Sequence, residues 1–109
     1  MLSDAQLLDQ ITFVNREILF AEDELRMLND RLNMTAMKIR ADSSGLSEPQ
    51  IWLETWKDGE WWEIYTRINK VYTSLVSLRS EFNDLHRRLQ YATMVKVAVV
   101  ARQQEQVNA

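Results

Sequence analysis

Steps of four and three residues, taken alternately from Leu7, meet Leu7, Ile11, Val14, Ile18, Ala21, Leu25, Leu28, Leu32, Thr35 and Ile39. All but Thr35 are apolar, and the phase never slips. Apolar residues recurring every 3.5 positions lie along one side of a helix, so this is a heptad seam. Ile11, Ile18, Leu25, Leu32 and Ile39 take position a; Leu7, Val14, Ala21, Leu28 and Thr35 take position d. The seam predicts a helix over 4–41. Ser3 or Asp4 can cap its start. A linker at 42–46 ends it, and Gly45 suits the left-handed conformation that closes helices.

A second ladder starts at Trp61 and runs through Ile64, Ile68, Val71, Leu75, Leu78, Phe82, Leu85, Leu89, Ala92, Lys96 and Val99. Only Lys96 is polar. It predicts a long helix over 59–104, followed by a tail at 105–109. Between the ladders, "SEPQ" at 47–50 is a helix-start signal: Ser47 as cap, Pro49 in the first turn, and Gln50 three residues after the cap. The short helix it opens, 47–57, has its apolar face at Ile51, Trp52, Thr55 and Trp56. Heptad steps back from Trp61 land on Lys57, Glu54 and Gln50, all polar, so the two helices are out of phase. A sharp turn is therefore expected at Asp58-Gly59, with Asp58 capping the long helix.

Two long amphipathic helices in one chain most simply form an antiparallel hairpin. The expected fold is all-α and coiled-coil-like: one helical domain over 1–109, with the short helix at the tip of the hairpin. Antiparallel coils pair g with g. Setting Glu24 opposite Arg88 also sets Arg31 opposite Glu81 and Lys38 opposite Ser74, whereas a shift of one heptad either way opposes like charges. Exposed pairs contribute only a few tenths of a kcal/mol each (~0.3–0.5). They select a register without stabilising it much. In this register residue 41 lies beside residue 71, the long helix overhangs the first, and the short helix continues the first arm to cover the overhang.

All four tryptophans, Trp52, Trp56, Trp61 and Trp62, fall in "WLETWKDGEWW". With Tyr65 they form the candidate partner-binding set. Two readings stand. The indoles close the hairpin tip as core, or some of them are anchors for another protein. Trp61 is on the ladder, and Trp62 points about 100° away from it. A second stripe, Phe13, Phe20, Met27 and Met34, stands at the c positions of the first helix, and Tyr65, Tyr72 and Val76 add a partial line on the long one. A two-helix rod cannot cover these residues. Phe13, Phe20, Met27, Met34 and Tyr72 are therefore the candidate self-association surface. It would complete a bundle, with a homodimer favoured.

Composition narrows the chemistry. Two glycines and one proline in 109 residues argue against an all-β meander, which needs turn residues at each hairpin. The absence of cysteine removes disulfides, thiol catalysis and thiolate metal sites. "MLSDAQLLDQ" does not read as a secretory signal. "MVKVAVVA" at 94–101 is far short of the ~20 residues of a membrane span. These features make a cytoplasmic protein the expectation. The net charge of -3 is uneven: 42–63 holds six acids and one base, and 64–109 holds three acids and seven bases.

His86 is the one imidazole and sits at an e position, where it reads as solvated or partly packed. Position 83 is Asn and the inward positions are apolar, so the Glu-x-x-His pattern of carboxylate metal sites is missing. No glycine loop for phosphate is seen. No catalytic, metal or cofactor residue is therefore assigned. Arg79, Arg87, Arg88, Lys96 and Arg102 give the long helix a basic character. They point in several directions, so nucleic-acid binding is disfavoured, though an oligomeric binder of nucleic acid or small anions stands as the alternative function. In shape the chain is loosely similar to the small secreted WXG-type hairpins. The connection Trp56-Lys57-Asp58-Gly59 has one residue too many for that motif and lies past mid-chain, and the C-terminal tyrosine-to-acid signal is not seen, so membership is not assigned. The resulting expectation is a non-enzymatic interaction protein with a Trp-rich acidic tip and a Phe/Met stripe.

Overall fold

The computed structural model describes residues 2–108, with side chains through Val107. Among them are three helices and no strand: α1 over Asp4–Asp42, α2 over Glu48–Lys57 and α3 over Gly59–Asn108. The fold is the all-α antiparallel helical hairpin with a short third helix that the two ladders predict. α3 continues four residues past the expected end at 104. Ala109, the last residue of the expected tail, lies outside the described residues.

The ladders account for the burial. Every a and d position of α1 from Leu7 to Ile39 is buried or half-buried, as is every ladder position of α3 from Trp61 to Ala92. Lys96 and Val99, the last two rungs, are exposed. Caps stand where the sequence places them. The Gln6 amide donates to Ser3 Oγ, and the Ser3 amide to Gln6 Oε1. Ser3 is thus the N-cap of α1, with Asp4 in its first turn.

The chain divides into two compact units. One is Leu19–Val76, the connection unit, and holds α2. Leu28, Ile64 and Val71 form its buried core, with Ala21, Leu25, Leu32 and Ile68 packed around them. Burying a side chain of this size contributes roughly 1.5–3 kcal/mol, so a few such residues hold the two helices together. Leu75, the most deeply buried large side chain described, also belongs here. The other is the terminal unit, residues 2–18 with 77–108. Leu7, Val14, Ile18 and Leu85 are its buried apolar residues, and Asp4 pairs with Lys96.

The register of the connection unit differs from the expected one. Glu24 pairs with Arg67 at 2.6 Å, not with Arg88, a displacement of three heptads. Arg88 instead pairs with Asp84 one turn earlier in α3. The charge pattern permits this, because Arg67 occupies the same g position as Arg88, and Glu60 the same position as Glu81. The place of reversal also differs. The linker after α1 turns the chain: Gly45 has φ +88, and the Leu46 amide donates to the Ser43 carbonyl. α2 then sets out beside Arg40, bonded through Glu48, and delivers the chain to Trp61 beside Leu32. Residues 33–42 of α1 thus run past the start of α3, and α2 covers them. The arm broken in two is α2 with α3, not α1 with α2. Asp58, the one non-helical residue between α2 and α3, makes a step and not the expected reversal.

Candidate functional site

α2 is specified locally. The Gln50 amide donates to Ser47 Oγ and the Ser47 amide to Gln50 Oε1, so two otherwise unpaired donors are satisfied by one reciprocal motif, with Pro49 in the first turn. Arg40 reaches from α1 to Glu48 with two hydrogen bonds, at 2.6 and 3.0 Å. The bond from Arg40, and then its charge, lower the Glu48 pKa, and the same contact raises that of Arg40. Thr55 is buried, and its hydroxyl donates to the Ile51 carbonyl at 2.9 Å, so the polar group enters the packed face already satisfied. Asp58 ends α2 and caps α3, its carboxylate accepting from the Trp61 amide at 2.8 Å.

This frame gathers Trp56, Trp61, Trp62 and Tyr65 into one cluster. Trp61 stacks on Tyr65 at 5.1 Å and 8°. Trp62 sets its edge against Trp56 at 5.1 Å and Trp61 at 5.3 Å, and its indole N–H donates to the Trp56 carbonyl. The adjacent Trp61 and Trp62 share one cluster, although they leave the helix about 100° apart, because α2 brings Trp56 to meet both. Trp61 is its core, at 9% exposed, and Trp62 is half-buried. Tyr65 is exposed on its outer edge. Trp52 and Trp56 keep 57% and 55% of their surface in solvent. Trp52 has no ring partner among the described residues. The candidate set therefore separates into a buried member that holds the tip and exposed members able to meet a partner. Of the expected apolar face of α2, Ile51 and Thr55 turn inward, and Trp52 and Trp56 lie at its margins, each more than half exposed.

The stripe is bare. In the terminal unit Phe13, and in the connection unit Phe20, Met27 and Met34, are each 62–69% exposed, and Tyr72 and Val76 are exposed as well. Sequence reading missed Leu53, Leu46 and Met37, all exposed apolar residues of the connection unit. Leu53 adjoins Trp52 and widens the apolar face of α2, which was legible as a surplus of apolar residues over what one face needs. It also missed a groove in the terminal unit, between Leu2 and Leu7 on one side and Tyr91, Ala92 and Val95 on the other, bordered by Arg87, Arg88 and Lys96. Its signal was the density of apolar residues after Tyr91, too many for a and d positions alone.

His86 is exposed and sets its ring against Phe82 at 4.7 Å. Among the described residues no His, Asp and Glu side chains cluster as three or more potential metal ligands. Of the bases in the terminal unit, Arg88 and Lys96 hold carboxylate partners. No helix of the described residues is long and apolar enough to cross a membrane. The chain matches no protein-family model, no curated protein and no solved structure.

Proposed function

We propose that this chain is a non-enzymatic protein–protein interaction module, an adaptor, inhibitor, assembly chaperone or structural subunit of the cytoplasm, whose contact surface is the tryptophan-bearing face of α2. One observation carries the reading: Trp52 and Trp56 stand more than half exposed on a helix that a capping box opens and the Arg40–Glu48 pair joins to α1. Exposed indoles presented on a helix supply large contact area, and tryptophan is a frequent anchor of protein contacts. Glu54, Asp58, Glu60 and Glu63 make the neighbourhood acidic, which favours a basic partner surface. Phe13, Phe20, Met27, Met34 and Tyr72 serve as a homodimer seam, since an uncovered apolar line of this kind is an association surface.

The test is the double variant Trp52→Ala/Leu53→Ala, which spares the ring cluster. Its melting temperature should stay within about 4 °C of the parent, as for surface substitutions, and its capture of partner from the native host should be lost. A large drop in melting temperature would place these side chains in the core and end the reading. For the seam, light scattering should give twice the chain mass, and Met27→Ser should return the monomer. The alternative, a binder of nucleic acid or small anions, has less support, because Arg88 and Lys96 are engaged by Asp84 and Asp4.

A further inference from the structure

Within the terminal unit, α3 carries a second stripe at alternating steps of four and three: Arg87, Tyr91, Met94, Ala98, Ala101 and Glu105. At 3.6 residues per turn it lies about half a turn around the helix from the ladder of Leu78, Phe82, Leu85, Leu89 and Ala92. All six side chains are exposed, Tyr91 at 68% and Met94 at 69%. Val95 and Val97 flank the middle of the stripe and are exposed as well. A helix that is apolar on opposite faces needs a neighbour on each, and the ladder engages only one. The stripe is ordered along its length. It begins on a cation and ends on an acid, and its large side chains, Tyr91 and Met94, precede its small ones, Ala98 and Ala101. The neighbouring cations Arg88 and Lys96 hold Asp84 and Asp4. Arg87 and Glu105 have no ion-pair partner among the described residues.

We infer that this stripe is covered by the same stripe of a second copy, the two α3 helices running antiparallel about a two-fold axis level with Lys96. Tyr91 then meets Ala101 of the second copy, Met94 meets Ala98, and Arg87 meets Glu105, and the symmetry repeats each pair. Every apolar layer sets a large side chain against a small one, the alternation by which facing helices interdigitate. Each end sets a free cation against a free acid. Val95 and Val97 meet their own copies beside the axis. A parallel pairing would instead oppose Arg87 to Arg87, Glu105 to Glu105 and the two tyrosines to each other, with the alanines facing across a gap. A shift of one heptad either way loses both ion pairs and sets Met94 against Glu105 or Tyr91 against Met94. At the rim Arg102 approaches Arg88 of the second copy, whose charge Asp84 already offsets. The contact spans roughly 27 Å of helix. Burial of Tyr91, Met94 and the valines contributes most of the affinity, and the end charges select direction and register. This surface lies on α3, apart from the Phe/Met seam of α1, and does not rest on the reading of α2.

The chain has no cysteine, so single thiols can be placed for cross-linking of the full-length protein. Gln90 and Gln104 flank the stripe, and in this pairing Gln90 of one copy lies beside Gln104 of the other. Two copies of Gln90 stand roughly 18 Å apart along the axis, and two copies of Gln104 roughly 24 Å. Both positions are exposed, and unchanged helical circular dichroism confirms folding. With a short bismaleimide, Gln90→Cys mixed with Gln104→Cys should form a linked dimer between about 1 and 100 µM, and neither variant alone should. Linking in either variant alone as readily as in the mixture overturns the antiparallel pairing. No linking in any sample at about 100 µM overturns the contact itself. Arg87→Glu added to both partners turns two attractions into two repulsions and should raise the concentration for half-maximal linking about tenfold. Arg87→Glu/Glu105→Arg, which reverses both ends, should restore it. An unchanged midpoint in the first case, or no recovery in the second, removes the end pairs and with them the choice of a second copy. Met27→Ser separates this surface from the seam of α1: linking should persist in that background, and linking lost there belongs to the seam and overturns the inference.

Discussion

The helical run is interrupted twice, and the interruptions look alike in sequence. Ser43–Ser47 contains Gly45 and ends on the cap Ser47; Asp58 is itself a cap and is followed by Gly59. Their effects are opposite. At the first, Gly45 takes φ +88, a conformation that L side chains rarely adopt, and the chain turns back. At the second, Gly59 is simply the first residue of α3, and Asp58 changes the direction of the chain without reversing it. A glycine marks where a reversal is permitted. Whether one occurs depends on how many residues leave helical geometry and on what the next helix finds to pack against. Here α2 finds the end of α1, and the aromatic cluster secures the step at Asp58.

The largest effect that sharpens this contrast belongs to Trp61, the first ladder residue after the step. It is nearly buried against Trp56, Trp62 and Tyr65. Trp61→Ala should cost about 3–5 kcal/mol, as for large aromatic truncations in a core, whereas Trp52→Ala should stay within about 0.5 kcal/mol. Urea denaturation of the two variants side by side measures the difference. Equal losses would mean that the step is held by α2 as a whole and not by the ring cluster.

The two glycines come next. A Cβ built at either meets nothing within 4 Å, so space does not distinguish them and only the backbone does. Gly45→Ala should destabilise by about 1–2 kcal/mol through the left-handed φ. Gly59→Ala should stabilise by up to about 1 kcal/mol, because alanine has less freedom to lose on folding and the helical position accepts it. Thermal melts that shift in opposite directions would support this assignment, and shifts of the same sign would contradict it.

The caps differ more modestly. Asp58 accepts from Trp61 at 2.8 Å, and Ser47 from Gln50 at 3.4 Å. Asp58→Ala should cost about 1 kcal/mol and Asp58→Asn less, since asparagine keeps the bond and loses only the charge at the N-terminus of α3. Ser47→Ala should cost less than Asp58→Ala. The reverse order would show that the capping box, not the step, limits the stability of the connection.

These contrasts also mark where the sequence was readable. The ladders were legible because heptad spacing has one structural solution, and each rung from Leu7 to Ile39 and from Trp61 to Ala92 is at least half-buried. The capping box of α2 and the cap at Asp58 were legible for the same local reason. Register was not. The g charges recur at heptad intervals, so Arg67 can replace Arg88 and Glu60 can replace Glu81 without a penalty that the pattern reveals. The choice is made by the linker at 43–47 and by α2 lying back along α1, a tertiary fact. Of the tip, the tryptophan cluster was visible, but its division into buried Trp61 and exposed Trp52 and Trp56 was not. The phase of α2 says which residues share a face and not which side α1 takes.

The smallest effect tests whether α2 is fastened at its start as it is at its end. Arg40 and Glu48 form the pair at the outset of α2, and both side chains are more than half exposed. The Glu48 pKa lies below its ordinary 4.5 because the carboxylate accepts from Arg40 and sits beside its charge. A folded-state pKa below the unfolded one means that the contribution is complete at neutral pH. It begins to fall as the pH drops below the unfolded value and is gone once the pH passes the folded one. Glu48→Gln should therefore lower the melting temperature slightly at pH 7, and the difference should shrink as the pH falls below the ordinary carboxylate range and the parent loses the charge too. Exposure and screening keep this difference small, and added salt should shrink it further. A difference that persists unchanged in acid would assign it to the helix-dipole position of residue 48 or to packing, and would leave the reversal at Gly45 and the cap at Ser47 to hold the start of α2 on their own.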